Sequence, residues 1–121
     1  MILVDTSVWI DHLRRADARL MALLNRGRVF CHPYVIGELA LGNLRQRDDV
    51  LSSLTAMPQA GVASHEEAMQ FIEKNCLSGS GIGYIEAHLL AATRLSPGAT
   101  LWTRDKRLLA AAVRLKLATV G

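Results

Sequence analysis

The sequence predicts an α/β fold in which helices cover both faces of a short, mostly parallel sheet. The run Ile2–Val4 is wholly apolar, and residues 99–103 centre on Leu101 and Trp102; both segments have the length and composition of strands. The segments between them carry apolar residues at helical spacing. Strands that alternate with helices in this way usually pair in parallel, because a helix returns the chain to the start of the next strand.

Size and composition narrow the class further. The chain has 121 residues, of which 50% are apolar, and this predicts one domain over residues 1–121 rather than a disordered chain. No apolar run reaches the roughly 18 residues that cross a bilayer. The first residues lack a basic region and reach an acid at Asp5, so we expect a cytoplasmic protein with no membrane association. Cys31 and Cys76 are far apart and are expected to be reduced.

The first half of the chain alternates strand and helix signals. Pro33 suits the first turn of a helix, and Gly27 suits the end of one. The predicted elements are a strand at 2–4, helices at 8–15 and 18–25, a strand at 28–31, and helices at 33–44 and 48–54.

The second half contains the clearest helix start and the most flexible loop. Ser64 followed by Glu66 and Glu67 is typical of a capped helix N-terminus. A glycine-rich stretch at 78–83 predicts a loop that opens into the next helix. The predicted elements are helices at 64–76 and 84–95, a strand at 99–103, a helix at 106–116 and a last strand at 118–120.

Four acids interrupt apolar stretches in which an unpaired charge is costly. They are Asp5, Glu38, Glu86 and Asp105. Singly, each has an ordinary explanation, since an aspartate that caps a helix contributes about 1 kcal/mol without any function. However, Asp5 and Asp105 both follow strands, and the carboxyl ends of parallel strands lie at one edge of the sheet, where functional sites form. We therefore predict that the four acids share one catalytic site.

Clustered carboxylates repel one another unless a cation lies between them. Magnesium and manganese prefer oxygen ligands, lower the pKa of a bound water and orient it for attack on a phosphodiester. All four acids are therefore predicted to be catalytic and to hold the metal directly or through water. The hydroxyl groups of Thr6 and Ser7 are predicted either to add to the site or to cap the first helix, and that of Thr103 is predicted to lie at the edge of the site. The four histidines show no spacing that suits zinc.

The net charge is +3, and the basic residues are clustered. Such clusters are compatible with a polyanionic partner, although a solvated surface is the other explanation. The residues predicted to contact a nucleic-acid backbone are Arg14, Arg15, Arg104, Lys106 and Arg107.

Taken in order, these motifs resemble the PIN-domain family, and across the whole chain the VapC toxins of toxin–antitoxin pairs. The resemblance rests on a strand followed by Asp-Thr-Ser at 5–7, Pro-x-x-x-Gly-Glu-Leu at 33–39, Gly-Ile-Gly before an acidic helix at 81–83, and Thr-Arg-Asp-Lys-Arg-Leu at 103–108. Each motif is short, and their order and spacing carry the likeness.

The resemblance implies a PIN-like three-layer α/β/α sandwich and a Mg²⁺- or Mn²⁺-dependent endoribonuclease that cuts structured RNA such as tRNA or rRNA. It also implies a homodimer and an inhibiting VapB-type antitoxin. Asp5, Glu38 and Asp105 match the acidic site of the family. Glu86 departs from it, since the family more often has aspartate there.

Two other functions are alternatives to the nuclease. A PIN-like protein that binds RNA or an antitoxin with little catalysis is the main alternative, and the Glu86 departure is its only support. A phosphotransfer domain is disfavoured, because an aspartyl phosphatase needs a second aspartate where Ser7 stands, and a receiver needs an acidic pair that is absent.

Overall fold

The computed structural model describes residues 1–119. Within them the chain forms three short strands and seven helices. In chain order these are β1 (Ile2–Val4), α1 (Thr6–Arg14), α2 (Ala18–Asn25), β2 (Val29–Phe30), α3 (Pro33–Ala40), α4 (Arg47–Ala56), α5 (His65–Lys74), α6 (Tyr84–Leu95), β3 (Thr100–Trp102) and α7 (Lys106–Arg114).

The sheet is parallel, with β1 in the centre and the order β2-β1-β3. Leu3 pairs with Phe30 on one side and with Leu101 on the other. Leu3 and Val4 are both fully buried, and neighbouring strand residues point to opposite faces of a sheet. Both faces are therefore covered, which confirms the predicted α/β class.

Helix capping explains where several helices begin. Asp5 caps α1, so this helix starts at Thr6, two residues before the predicted start. Ser64 and Glu67 form a reciprocal capping box at the start of α5, as their spacing predicted. The predicted bounds of α2 and α6 agree with the structure.

Other predicted helices and strands are shorter in the structure. Helix α3 ends at Ala40 rather than at 44, because Leu41 is 90% exposed and the buried face of the helix does not continue. Helix α7 ends at Arg114, shortly before Lys116 adopts a positive φ of 61°. Of the predicted last strand at 118–120, Ala118 forms a single parallel bridge with Leu101, and residue 120 lies outside the described part.

Helix α6 has more buried residues than any other helix within residues 1–119. All seven residues from 87 to 93 are buried, so the helix packs on every side rather than along one stripe. It also contacts β3, the next element along the chain. No helix within residues 1–119 is long and apolar enough to cross a membrane.

Five aromatic rings form a continuous chain between the starts of α3, α5 and α6. In this ring chain, Tyr34 lies edge-on to His32 at 4.8 Å and to His88 at 4.9 Å between ring centroids. Tyr84 continues it, 4.6 Å from His88 and 5.6 Å from His65. His32 and His88 are buried, whereas the outer end of the chain is exposed.

Burial keeps the two inner histidines neutral. Desolvation is the main cause that lowers the pKa of His32 from 6.5 to about 4, and electrostatic repulsion from the nearby His88 adds to it. Desolvation also lowers the pKa of His88, and electrostatic repulsion from His65 adds to this effect. His32 uses its neutral Nδ1 to accept a hydrogen bond of 3.0 Å from the backbone N–H of Tyr34, which caps α3.

These pKa shifts predict a loss of stability in mild acid. The unfolded chain takes up a proton on His32 near pH 6.5, but the folded protein does so only near pH 4. The free energy of unfolding should therefore decrease as the pH falls through this window, by up to about 3 kcal/mol for this group. Urea denaturation at a series of pH values measures the effect.

The matched control is His32→Asn, because asparagine can accept the same helix-capping hydrogen bond and does not titrate. Its unfolding free energy should depend less on pH between about 6.5 and 4, and His88 contributes to the dependence that remains. An unchanged pH dependence in this variant would contradict the role assigned to His32.

Candidate functional site

The two predicted aspartates lie at the carboxyl ends of adjacent parallel strands. The backbone N–H of Asp5 donates to the carbonyl of Trp102 at 2.9 Å, which extends the β1–β3 pairing by one residue. Asp105 follows three residues after Trp102 and caps α7 by accepting from the N–H of Leu108 at 2.9 Å. Both aspartates therefore cap helices at the same edge of the sheet.

A network of hydroxyl groups joins the two strand ends at Asp5. The Oγ of Ser7 and the Oγ1 of Thr103 donate to Asp5 Oδ2 at 2.7 and 2.8 Å. Each hydroxyl also accepts a backbone N–H at 3.0 Å, from Arg104 to Ser7 and from Asp105 to Thr103. Because each hydroxyl hydrogen is directed at the carboxylate, the network holds Asp5 in one orientation.

Asp5 has one oxygen that the network leaves available. It is only 6% exposed, and the three donors that reach its side chain within residues 1–119 all contact Oδ2, including the N–H of Ser7 at 3.4 Å. Oδ1 is therefore the oxygen that is able to accept a ligand. The predicted accessory roles of Ser7 and Thr103 correspond to positions in direct contact with this carboxylate.

The two glutamates occupy different surroundings. Glu38, on α3, accepts a hydrogen bond of 2.7 Å from the hydroxyl of Thr6, the first residue of α1. Glu86, on the first turn of α6, bends back over the start of its own helix. A Cβ built on Gly83 would lie 2.6 Å from Glu86 Oε2, so the carboxylate occupies the space that the missing side chain leaves.

The donor set fits a hard divalent cation in its chemistry, since every predicted ligand offers carboxylate or hydroxyl oxygen. In its arrangement the fit is incomplete: among the residues that the structure describes, no three His, Cys, Asp or Glu side chains are grouped so that they could hold one ion. Magnesium commonly takes only one or two protein carboxylates and keeps its waters. Asp5 with a second acid would satisfy that requirement.

Arg104 is held by two carboxylates that the sequence did not single out. Its guanidinium donates to Asp11 and to Asp17, both at 2.7 Å, and lies 5.6 Å from the ring of Trp102. Hydrogen bonding to these acids raises the pKa of Arg104. The hydrogen bond from the backbone N–H of Leu20 is the main cause that lowers the pKa of Asp17, and the hydrogen bond from Arg104 lowers it further.

This arrangement of Arg104, Asp11 and Asp17, the arginine clamp, ties the loop after β3 to helices α1 and α2. Sequence inspection could recognise Asp17 as the start of a helix, but not a contact with a residue 87 positions later. The RNA-binding role of Arg104 stays a prediction, and two carboxylates already balance its charge.

The other basic residues that the sequence singled out are exposed at two places. Lys106 and Arg107 begin α7, beside Asp105, and the side chain of Arg107 packs against Gly81 in the glycine-rich loop. Arg14 ends α1 and lines a cleft of about 400 Å³. Arg15 follows it and is also exposed.

The architecture and the strand-end acids agree with a known family. Residues 2–114 match the family described as PIN domain. The chain belongs to the PIN-domain family. The resemblance predicted from its motifs is thereby confirmed, and the predicted fold class is that of this family.

A protein named as a ribonuclease is similar over most of the chain. Ribonuclease VapC32 of Mycobacterium tuberculosis is 54% identical over 111 residues, which cover 92% of this chain and 90% of the relative. The same protein is recorded for two strains of that organism, with the same identity.

Two solved structures share the fold at low sequence identity. PAE2754 from Pyrobaculum aerophilum superposes with a TM-score of 0.68 at 18% identity, covering 98% of this chain and 87% of that one. FitAcB from Neisseria gonorrhoeae superposes with a TM-score of 0.65 at 21% identity, covering 100% and 97%. At such identities these structures support the PIN fold alone.

The hydroxyl network predicts a specific stability loss for Thr103→Val. The variant keeps the shape of the side chain but removes one donor to Asp5 and the acceptor for the N–H of Asp105. A hydrogen bond to a charged group is worth about 1.5–3 kcal/mol, so the free energy of unfolding should fall by about 2 kcal/mol. Urea denaturation measures it.

Thr100→Val is the matched control on the same strand. Within residues 1–119 the Thr100 hydroxyl bonds only the hydroxyl of Thr119, at 2.9 Å, in a partly exposed neutral pair. This variant should lose about 1 kcal/mol or less. Equal losses in the two variants would mean that Thr103 contributes no more to the site than an ordinary strand hydroxyl.

Proposed function

We propose that this PIN-domain protein is an endoribonuclease that depends on Mg²⁺ or Mn²⁺ and acts as the toxin of a type II toxin–antitoxin pair. The observation that carries the proposal is the open Oδ1 of a buried, firmly oriented Asp5 beside Asp105. The 54% identity to a protein named as a ribonuclease gives the substrate class. The finer features are structured RNA as substrate, a VapB-type antitoxin, a homodimer and a cytoplasmic location, and they follow from the family resemblance.

Each residue of the site has a distinct part in this proposal. Asp5 would hold the metal through Oδ1, because its other oxygen is occupied by the hydroxyl network. Asp105 is the second acid, and Glu38 and Glu86 would act directly or through water. When bound, the cation supplies an acidified water and offsets charge on the phosphodiester.

The chain's own groups would position both the carboxylate and the RNA. Ser7 and Thr103 fix the orientation of Asp5, and Thr6 holds Glu38 on the neighbouring helix. Lys106 and Arg107 lie immediately after Asp105, where cations would offset the repulsion between the acids and a phosphate backbone.

Cleavage of total bacterial RNA with Mg²⁺, with Mn²⁺ and with EDTA tests the proposal. Asp5→Asn should lower the cleavage rate at least ~100-fold, because the metal-binding charge is lost. The fold should persist, since asparagine also caps helices well. Asp48→Asn, the same chemical change on exposed helix α4, should retain full activity.

Thermal unfolding gives a second readout that does not require activity. Mn²⁺ should raise the melting temperature of the wild-type protein and of Asp48→Asn, but not that of Asp5→Asn, since a ligand stabilises only the state that binds it. Metal-independent cleavage, or full cleavage by Asp5→Asn, would contradict the proposed site. RNA binding without cleavage in any metal would favour the binding-only alternative.

The salt dependence of RNA binding tests the phosphate contact. Lys106→Ala should reduce the slope of log Kd against log salt concentration by about 0.7, the value for one phosphate contact on a single strand. The control, Lys116→Ala, removes the same charge beyond the other end of α7 and should leave the slope unchanged. The same slope change in both variants would indicate a general charge effect instead of a local contact.

A further inference from the structure

The start of α6 presents a large aromatic side chain to solvent. Tyr84 is the first residue of the helix and remains 44% exposed. Its position is nevertheless fixed from two sides. The hydroxyl forms a hydrogen bond of 2.7 Å with His65 Nδ1, and the ring lies against the buried His88 with centroids 4.6 Å apart and planes at 80°.

The ring chain behind Tyr84 makes this a rigid surface. His88 lies in turn against Tyr34, which is one helical turn before Glu38 on α3. The ring chain therefore packs between the two helices that carry Glu38 and Glu86. An aromatic ring that is held before binding loses little conformational freedom when a ligand stacks on it.

Charged side chains lie along the segment that carries this ring. The Arg107 side chain lies against Gly81, and the Glu86 carboxylate lies against Gly83, next to Tyr84 in sequence. A cation, an acid of the proposed site and an exposed ring thus lie along one short segment, residues 81–86. This combination suits a nucleic acid, whose phosphates are negative and whose bases stack on aromatic rings.

We propose that Tyr84, supported by His65, is a stacking position for one unpaired base of the RNA substrate. Stacking on an aromatic side chain is the usual way in which proteins bind single-stranded bases. The base would lie on the exposed ring, while Arg107 is placed to meet the adjacent phosphate. This inference rests on the proposed ribonuclease function, because it assigns a subsite to the same RNA.

The test measures binding separately from cleavage. All variants are made in the Asp5→Asn background, so that RNA is not cut, and fluorescence anisotropy gives the Kd of a labelled single-stranded RNA of about ten nucleotides. Tyr84→Ala should weaken binding about 5- to 100-fold, the range for loss of one stacked base. Tyr84→Phe, which keeps the ring, should stay within about threefold of the parent.

A matched control lies on the same helix. Leu95 ends α6, and its side chain is 55% exposed. Leu95→Ala should therefore leave the Kd unchanged. Circular dichroism of each variant checks that the fold is retained, and equal losses in Tyr84→Phe and Tyr84→Ala would overturn stacking as the cause.

A set of RNAs, each lacking one base, identifies the contact. For the RNA that lacks the stacked base, Tyr84→Ala should cost little, since the interaction is already absent. If Tyr84→Ala costs the same factor with every abasic RNA, or costs nothing with intact RNA, the stacking proposal fails. No measurable RNA binding by the folded parent overturns it as well, and would leave a protein partner as the occupant of this surface.

The two proposals can fail independently. If the wild-type protein cleaves RNA but the effect of Tyr84→Ala is the same for every abasic RNA, the ribonuclease function stands and the stacking position is excluded. If the effect of Tyr84→Ala disappears with one abasic RNA but no metal supports cleavage, the stacking position stands and the enzymatic function is excluded.

Discussion

The pairing of β1 with β3 is the constraint on which the site depends. Their parallel register aligns Val4 with Trp102, and the next hydrogen bond, from Asp5 to the carbonyl of Trp102, fixes where the first acid lies. The hydroxyl network then connects that acid to the loop after β3 through two side chains 96 positions apart in sequence. Because β1 is the central strand and is buried on both faces, a shift in register would move the acid and expose core leucines together.

The acids of the candidate site differ in how firmly they are held, and they do not form a closed cluster within the described residues. Asp5 accepts three hydrogen bonds, whereas the carboxylate of Glu86 rests on the start of its own helix. Like charges at short range disfavour a closed cluster of acids without a cation. Acids that are each held in place, apart from Glu86, are consistent with this repulsion, and Glu86 is the acid with the most freedom to adjust when a cation binds.

The sequence predicted features that depend on local rules. The acids after β1 and β3, the capping box at Ser64 and the bounds of α2 and α6 follow from strand, capping and periodicity signals within a few residues. It did not predict the arginine clamp or the ring chain, since both join residues from distant segments. The direction of the Glu86 side chain could not be predicted from the sequence either, because it depends on the shape of the preceding loop. The metal-binding roles of the four acids stay predictions.

Gly83 has a consequence for how the fourth acid can vary. The Glu86 carboxylate uses the space where any other residue at position 83 would place its Cβ, and a flexible carboxylate moves more easily than a backbone. Substitution at 83 would thus relocate the acid at 86 without altering its identity. The two positions form a coupled pair. A survey of this family that aligned only the acidic positions would overlook a neighbouring residue that determines where one of those acids points.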